Sequence, residues 1–261
     1  MIGIFDSGVG GLTVARAIME KIPEYDIVYF GDTAHTPYGT KSSETVIGYT
    51  VNNIEFLLSQ GASVIVIACN TASSVATAEV LGRFAVPIFE VITPAVELAV
   101  NTSKNFRFGV IGTRATVTSG IYEKKIIEMQ PAAKVYSIAC PLLVPLVEEG
   151  WLNKPEAAMI VKKYLHPLKT RQIDTLILGC THYPLLKKVI QRKTGRRVHL
   201  IDSSISVAGD IKKFLENHVE VDKQLGKNGK LTLFVSDVTD QFEKIATMTL
   251  KTKVEFDCVK I

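Results

Sequence analysis

Short apolar runs alternate with stretches of helical spacing along most of the chain. Ile2–Phe5, Asp26–Phe30, Ser63–Ala68 and Pro87–Val91 read as strands. Between them, Leu12–Ile22, Ser43–Leu58 and Thr71–Phe84 carry apolar residues three and four positions apart, such as Ile47, Val51, Ile54 and Leu58, which is the period of one helix face. Strands so continuously apolar are buried on both faces, and alternation with helices achieves this in a parallel sheet. The pattern restarts at Arg107–Ile111, continues at Lys134–Ala139 and Thr175–Gly179, and closes at Val198–Ile201. The expected fold is α/β, with two similar doubly wound parallel-sheet domains.

The restart includes a local repeat. Val64–Thr71 (VIVIACNT) and Asp174–His182 (DTLILGCTH) share a layout of buried strand, small residue, cysteine, polar residues and helix. The two cysteines are 111 residues apart, about one small domain. The tail adds a helix over Ile205–Asn217 and strand-like runs at Leu231–Val235 and Val254–Val259 that pack back on the first unit. A boundary near Thr93-Pro94 and a return near Ser203 give a first domain of 1–93 plus 204–261 and a second of 94–203.

Composition narrows the class. Of 261 residues 47% are hydrophobic, and Gly and Pro number only 18 and 10, which excludes a disordered or low-complexity chain. Met1 runs into an apolar strand without a basic segment and hydrophobic stretch, so no secretory signal is expected. The longest apolar candidate, Pro87–Val100, is broken by Glu90, Thr93 and Glu97, so no membrane span is expected either. The chain reads as cytoplasmic, where Cys69, Cys140, Cys180 and Cys258 are reduced thiols.

The net charge is +4, but 151–200 alone holds 11 basic and two acidic residues. That is either a nucleic-acid footprint or a solvated helix face. In Leu185–Lys193 the apolar residues keep helical spacing opposite the charges, and no aromatic residues interleave as stacking platforms. The solvated face is the favoured reading and a nucleic-acid partner is not expected.

In open α/β sheets ligands bind beyond the carboxyl ends of strands. Asp6-Ser7-Gly8, Gly31-Asp32, Cys69-Asn70-Thr71, Gly112-Thr113 and Cys180-Thr181-His182 all sit at such ends. A dinucleotide fingerprint needs glycine where Thr13 stands, and Asp32 matches its acidic residue only loosely. The glycines after Asp6 instead suit a sharp turn offering N–H groups to a carboxylate-bearing ligand. Cys69 lacks the arginine six residues on that a phosphatase needs, since Val75 stands there, and Cys180 and His182 match no common zinc spacing. Cys140 and Cys258 fit small buried hydrophobes, whereas Cys69 and Cys180 sit at helix starts that favour thiolate. Two thiols facing each other across an interdomain cleft, with the domains related by a pseudo-twofold axis, suit inversion of a stereocentre: one takes a proton from one face and the other returns it. A thiol's ordinary value of about 8.5 keeps both protonation states reachable.

Phe5–Gly11 (FDSGVGG), Gly31-Asp32 with Pro37-Tyr38-Gly39, Ala68–Ala72 (ACNTA), Gly112–Thr116 (GTRAT), Pro141–Gly150 (PLLVPLVEEG) and Gly179–Leu185 (GCTHYPL) together resemble the glutamate racemases of the aspartate/glutamate racemase superfamily. The resemblance spans residues 2 to about 215. It implies a homodimeric enzyme with no cofactor and no metal that interconverts L- and D-glutamate for peptidoglycan synthesis. It also implies that Cys69 takes the α-proton of D-glutamate and Cys180 that of L-glutamate, with Asp6 assisting Cys69, and His182 and Glu148 assisting Cys180. Ser7, Tyr38, Gly39, Asn70, Thr71 and Thr181 resemble the substrate-holding set, joined by Thr113, Thr116 and Thr118. Helix capping by Asp6, a satisfied His182 and surface charge at Glu148 or Glu149 remain open readings. Three other functions also remain open: an aspartate racemase, an NAD-dependent oxidoreductase and a two-lobed solute-binding protein.

Overall fold

The computed structural model describes residues 1–261. Strands β1 (Ile2–Asp6), β2 (Ile27–Gly31), β3 (Val64–Ile67) and β4 (Ile88–Glu90) form the first unit, and β5 (Arg107–Gly112), β6 (Lys134–Ala139), β7 (Thr175–Gly179) and β8 (His199–Asp202) the second. β9 (Leu231–Val235) and β10 (Asp257–Cys258) follow. The first sheet runs β10-β9-β2-β1-β3-β4 and the second β6-β5-β7-β8, with every pairing parallel. Each unit therefore orders its own strands second, first, third, fourth. Cys69 follows the third strand of the first unit and Cys180 the third strand of the second, so the repeat in the sequence is a repeat in topology.

Alternate side chains of β1 enter opposite cores, as the pleat dictates. Ile2 and Ile4 pack with Leu12, Ile18, Ile211 and Ile245 from helices Leu12–Lys21, Ser203–Asn217 and Asp240–Leu250. Phe5 packs on the other face with Ile54 and Leu57 of Ser43–Ser59 and Ala72 of Asn70–Val80. In the second sheet Leu176 and Leu178 face helices Pro155–Thr170 and Lys187–Thr194, while Ile177 faces Ile92–Thr102 and Ile121–Met129. Truncating a buried Ile such as Ile4 to Ala costs about 2–5 kcal/mol in such settings.

Two details of the tail depart from the sequence reading. The run Val254–Val259 contributes only Asp257 and Cys258 to the sheet. Alternating charges at Lys253, Glu255 and Asp257 suit an edge rather than a buried strand. Cys258 is accordingly exposed and is not a packing residue, whereas Cys140 is fully buried in the second unit. No helix is long and apolar enough to cross a membrane.

Candidate functional site

Strand order reverses beside β1 and β3 in one sheet and beside β5 and β7 in the other, and crevices form at such points. Asp6 ends β1 and is fully buried, its Oδ2 accepting hydrogen bonds from the N–H groups of Gly8 at 3.1 Å and Gly11 at 2.8 Å. A Cβ at Gly11 would lie 2.2 Å from the Asp6 Cβ, so only glycine allows this approach. Tyr29, also fully buried, donates its hydroxyl to the Gly8 carbonyl at 2.6 Å and fixes the other side of the turn. Asp6 thus braces the turn ahead of the first helix while lying beside the thiol of Cys69.

Cys69 caps the helix Asn70–Val80, and its thiol donates to Ser7 Oγ at 3.6 Å. Burial pushes this thiol up to about 12, and the Asp6 carboxylate adds to the effect; the Ala72 N–H and Ser7 hydroxyl offset only part of it. The expected thiolate-favouring effect of the helix start is therefore overturned at Cys69, because desolvation outweighs one helix dipole. Burial likewise raises the Asp6 carboxyl, against the charge of His182 and the hydrogen bonds from Gly11, Gly8 and Thr181.

The second thiol has different company. Cys180 Sγ lies 3.8 Å from His182 Nδ1, and His182 Nε2 lies 3.3 Å from Glu148 Oε1, an ion-pair separation. Burial by itself disfavours a charged imidazole, but Cys180 and Glu148 outweigh it and hold His182 well above the ordinary histidine value. Glu148 ends the short helix Leu143–Glu148 and remains partly exposed. One thiol is therefore shut in with a carboxyl group, and the other is joined through an imidazole to a carboxylate that reaches solvent.

Both sulfurs line one cavity of about 20 Å³ between the two units. Ser7, Tyr38, Gly39, Asn70, Thr71, Thr113, Thr181 and His182 line it as well. Thr71 of the first unit meets the second through hydroxyl contacts of 2.9 Å to Thr113 and 3.4 Å to Thr116. Asn70 Nδ2 donates to Tyr122 Oη at 2.9 Å, which leaves the buried Asn70 Oδ1 unpartnered. The Tyr38 hydroxyl is turned away toward Asp32 and Asn53, so what it presents to the cavity is its ring and backbone. Asp6 and Thr116 stand one layer behind the lining, Glu148 lies beyond His182, and Thr118 is exposed and outside the cavity.

Several participants escaped the sequence reading. Thr36, Pro37 and Val144 also line the cavity, and Thr13 donates to the Thr181 carbonyl at 3.2 Å. Thr36 was within reach, since it immediately precedes Pro37-Tyr38-Gly39; Tyr29 and Tyr122 carry no local signal, because strand and helix periodicity alone explains them. Asp32 accepts from Tyr38, His35 and Ser236 and so anchors that loop. No group of three or more His, Cys, Asp or Glu side chains is arranged to hold a metal ion.

Residues 12–208 match the family model described as Asp/Glu/hydantoin racemase. A glutamate racemase of Persephonella marina is 45% identical over 260 residues, covering 100% of this chain and 97% of that protein. The crystal structure of a glutamate racemase isoform from Bacillus anthracis superposes with a TM-score of 0.93 at 37% identity, covering 100% of this chain and 97% of the other. That of the Francisella tularensis glutamate racemase in complex with D-glutamate gives 0.91 at 37% identity, covering 99% and 97%.

Proposed function

The chain belongs to the Asp/Glu/hydantoin racemase family and is an amino-acid racemase, and on that premise we propose that it interconverts L- and D-glutamate by passing the α-proton between Cys69 and Cys180, supplying D-glutamate for peptidoglycan. The observation that carries this reading is that the two thiols end equivalent strands of two equivalent units and line the same cavity. A group on each face of the α-carbon is what inversion through a carbanion requires.

Starting from L-glutamate, Cys180 acts as base and Cys69 delivers its proton to the opposite face. The buried Cys69 holds a proton firmly in the ligand-free chain, which is the state this direction needs. A protonated His182, held in that form by Cys180 and Glu148, donates to the sulfur that must carry negative charge. From D-glutamate the roles reverse, and Cys69 must give up its proton. A substrate ammonium entering the cavity brings the positive charge that eases this step, with Asp6 as the nearest carboxyl group. An α-proton is very weakly acidic, so the developing carbanion also needs donors at its carboxylate in a water-excluded cavity. Ser7, Thr71, Thr113, Thr181 and the Gly39 backbone are positioned to supply them, and the unpartnered Asn70 Oδ1 suits the substrate ammonium.

The cavity admits about one water-sized sphere, so glutamate enters only when the two units separate and the Thr71–Thr113 and Asn70–Tyr122 contacts loosen. The match to glutamate racemases over nearly the whole chain supports glutamate over aspartate. The same resemblance supports a homodimer, which sedimentation at micromolar concentration tests.

The decisive assay follows the circular dichroism of L- and D-glutamate separately, with L-aspartate as the competing substrate. Replacing Cys69 or Cys180 by Ser is expected to slow racemisation in both directions by at least about 10²–10⁴-fold, the usual worth of a positioned acid or base. Undiminished turnover in either variant, or faster turnover of aspartate, contradicts the proposal.

A further inference from the structure

Four tyrosines are at most 2% exposed, and three of them satisfy their hydroxyls within their own unit: Tyr29 at the Gly8 carbonyl, Tyr38 at Asp32 and Tyr183 at the Cys140 carbonyl. Tyr122 does not. It stands in the first turn of helix Ile121–Met129 of the second unit, and its hydroxyl reaches the first unit, accepting from Asn70 Nδ2 at 2.9 Å.

The ring is fixed by its surroundings. It packs in the core with Ile92, Val96, Phe108, Ile126 and Ile177, and its edge lies so near Gly179 that a Cβ there would stand 3.1 Å from Tyr122 Cε2. Gly179 directly precedes Cys180 and Asn70 directly follows Cys69. One rigid side chain therefore runs from the backbone before one sulfur to the amide after the other.

A phenylalanine would fill the same apolar space, and a buried hydroxyl costs free energy unless it is hydrogen-bonded. Here the bond goes to a residue that lines the thiol cavity. An amide can offer either end to a partner, and a hydroxyl can donate or accept. The Glu90 carboxylate is the charged group that bears most strongly on the Tyr122 hydroxyl. Its negative charge favours a hydroxyl hydrogen turned toward Glu90 and a lone pair turned toward Asn70, an arrangement that takes up Nδ2 and leaves Oδ1 free.

We propose that Tyr122 is a positioning residue for racemisation, holding the Asn70 amide so that Oδ1 is available to the substrate ammonium. Because Tyr122 and Asn70 belong to different units, the amide is held this way only while the units are closed on each other. The assignment rests on the reading of Asn70 as the acceptor for the ammonium.

Kinetics of single and paired substitutions test it, with glutarate as a competing ligand that carries both carboxylates of glutamate and no ammonium. Tyr122→Phe is expected to raise KM for L- and D-glutamate about threefold to tenfold, the worth of one hydrogen bond, with kcat less affected because the ammonium contact is made before and during proton transfer. Inhibition by glutarate is expected to weaken by no more than about twofold, and in an Asn70→Ala background Tyr122→Phe is expected to change KM by less than about twofold, since nothing is left for it to act through. Equal weakening of glutamate and glutarate would make Tyr122 a clasp between the units, and additive effects of the two substitutions would give it a role apart from Asn70; either result overturns the proposal. If Tyr122→Phe has no effect while Asn70→Ala selectively weakens glutamate, the proposal alone fails. If Asn70→Ala weakens both ligands alike, the reading of Asn70 fails and the proposal with it, while wild-type turnover of glutamate in the same series reports on the racemase reading by itself.

Discussion

Thr181 donates its hydroxyl to Asp6 Oδ1 at 3.2 Å, tying the residue beside one thiol to the carboxyl group that lies beside the other. Both are buried, and the contact joins the two units directly behind the cavity. Thr181→Val keeps the shape but removes the donor, leaving a buried carboxylate short of a partner. It is expected to lower stability by about 1–3 kcal/mol and to slow racemisation from both enantiomers. Chemical denaturation and paired forward and reverse rates check this; an effect on one direction alone would place Thr181 with only one thiol.

Gly10 is packed against the opposite unit. A Cβ there would stand 2.5 Å from both His182 Nδ1 and Thr181 Oγ1, so Gly10→Ala must push the imidazole away from Cys180. The expected cost is about 1–3 kcal/mol of stability, together with a larger loss of turnover from L-glutamate than from D-glutamate. Equal rates for wild type and variant would show that His182 is not held by this contact.

The two thiols also differ in how pH acts on the folded chain. The Cys69 thiol is raised on folding from about 9 to about 12, so its contribution to stability is present below 9 and is lost as pH rises toward 12. His182 is raised above its ordinary value, so its contribution is present below about 6.5 and fades as pH climbs through the higher folded value. Cys69→Ser is expected to flatten the alkaline arm of the stability profile and Glu148→Gln to reduce the contribution of His182. Denaturation midpoints from pH 6 to 11 read both; a wild-type alkaline arm unchanged by Cys69→Ser contradicts the assignment.

Exposure alone sorts the cysteines for labelling. Cys258 is exposed at the sheet edge while Cys69, Cys140 and Cys180 are buried. Iodoacetamide at neutral pH is expected to modify one thiol per chain rapidly, identified as Cys258 by peptide mass analysis, with little loss of activity. Rapid loss of activity alongside modification of Cys69 would indicate that the cavity stands open in solution.

Much of this arrangement is legible in the amino-acid sequence. Eight strands of the two units fall within a residue or two of the apolar runs; β1, β2, β3 and β7, buried along their whole length, announce themselves by composition, while the half-buried β4 and β6 are marked by the short apolar run between helices. The repeat around Cys69 and Cys180 located both sulfurs, since a thiol at a strand end needs no long-range knowledge to place. What stayed hidden depends on contacts distant in sequence. That the Tyr38 hydroxyl turns to Asp32 and Asn53, that Tyr122 holds Asn70, and that Thr118 faces solvent are consequences of packing. The raised Cys69 thiol was misread for the same reason, because a helix start is visible locally whereas the burial that outweighs it is not.

The two-thiol transfer is tested most directly by isotope incorporation in deuterated water. Protiated L-glutamate is incubated with the wild type, and both enantiomers are analysed for α-deuterium at low conversion. With one thiol on each face, the D-glutamate formed carries deuterium delivered from Cys69 while the recovered L-glutamate remains protiated, and the pattern reverses from D-glutamate. Deuterium appearing equally in substrate and product at early times would mean that one group serves both faces, and would contradict the assignment of Cys69 and Cys180 as opposed partners.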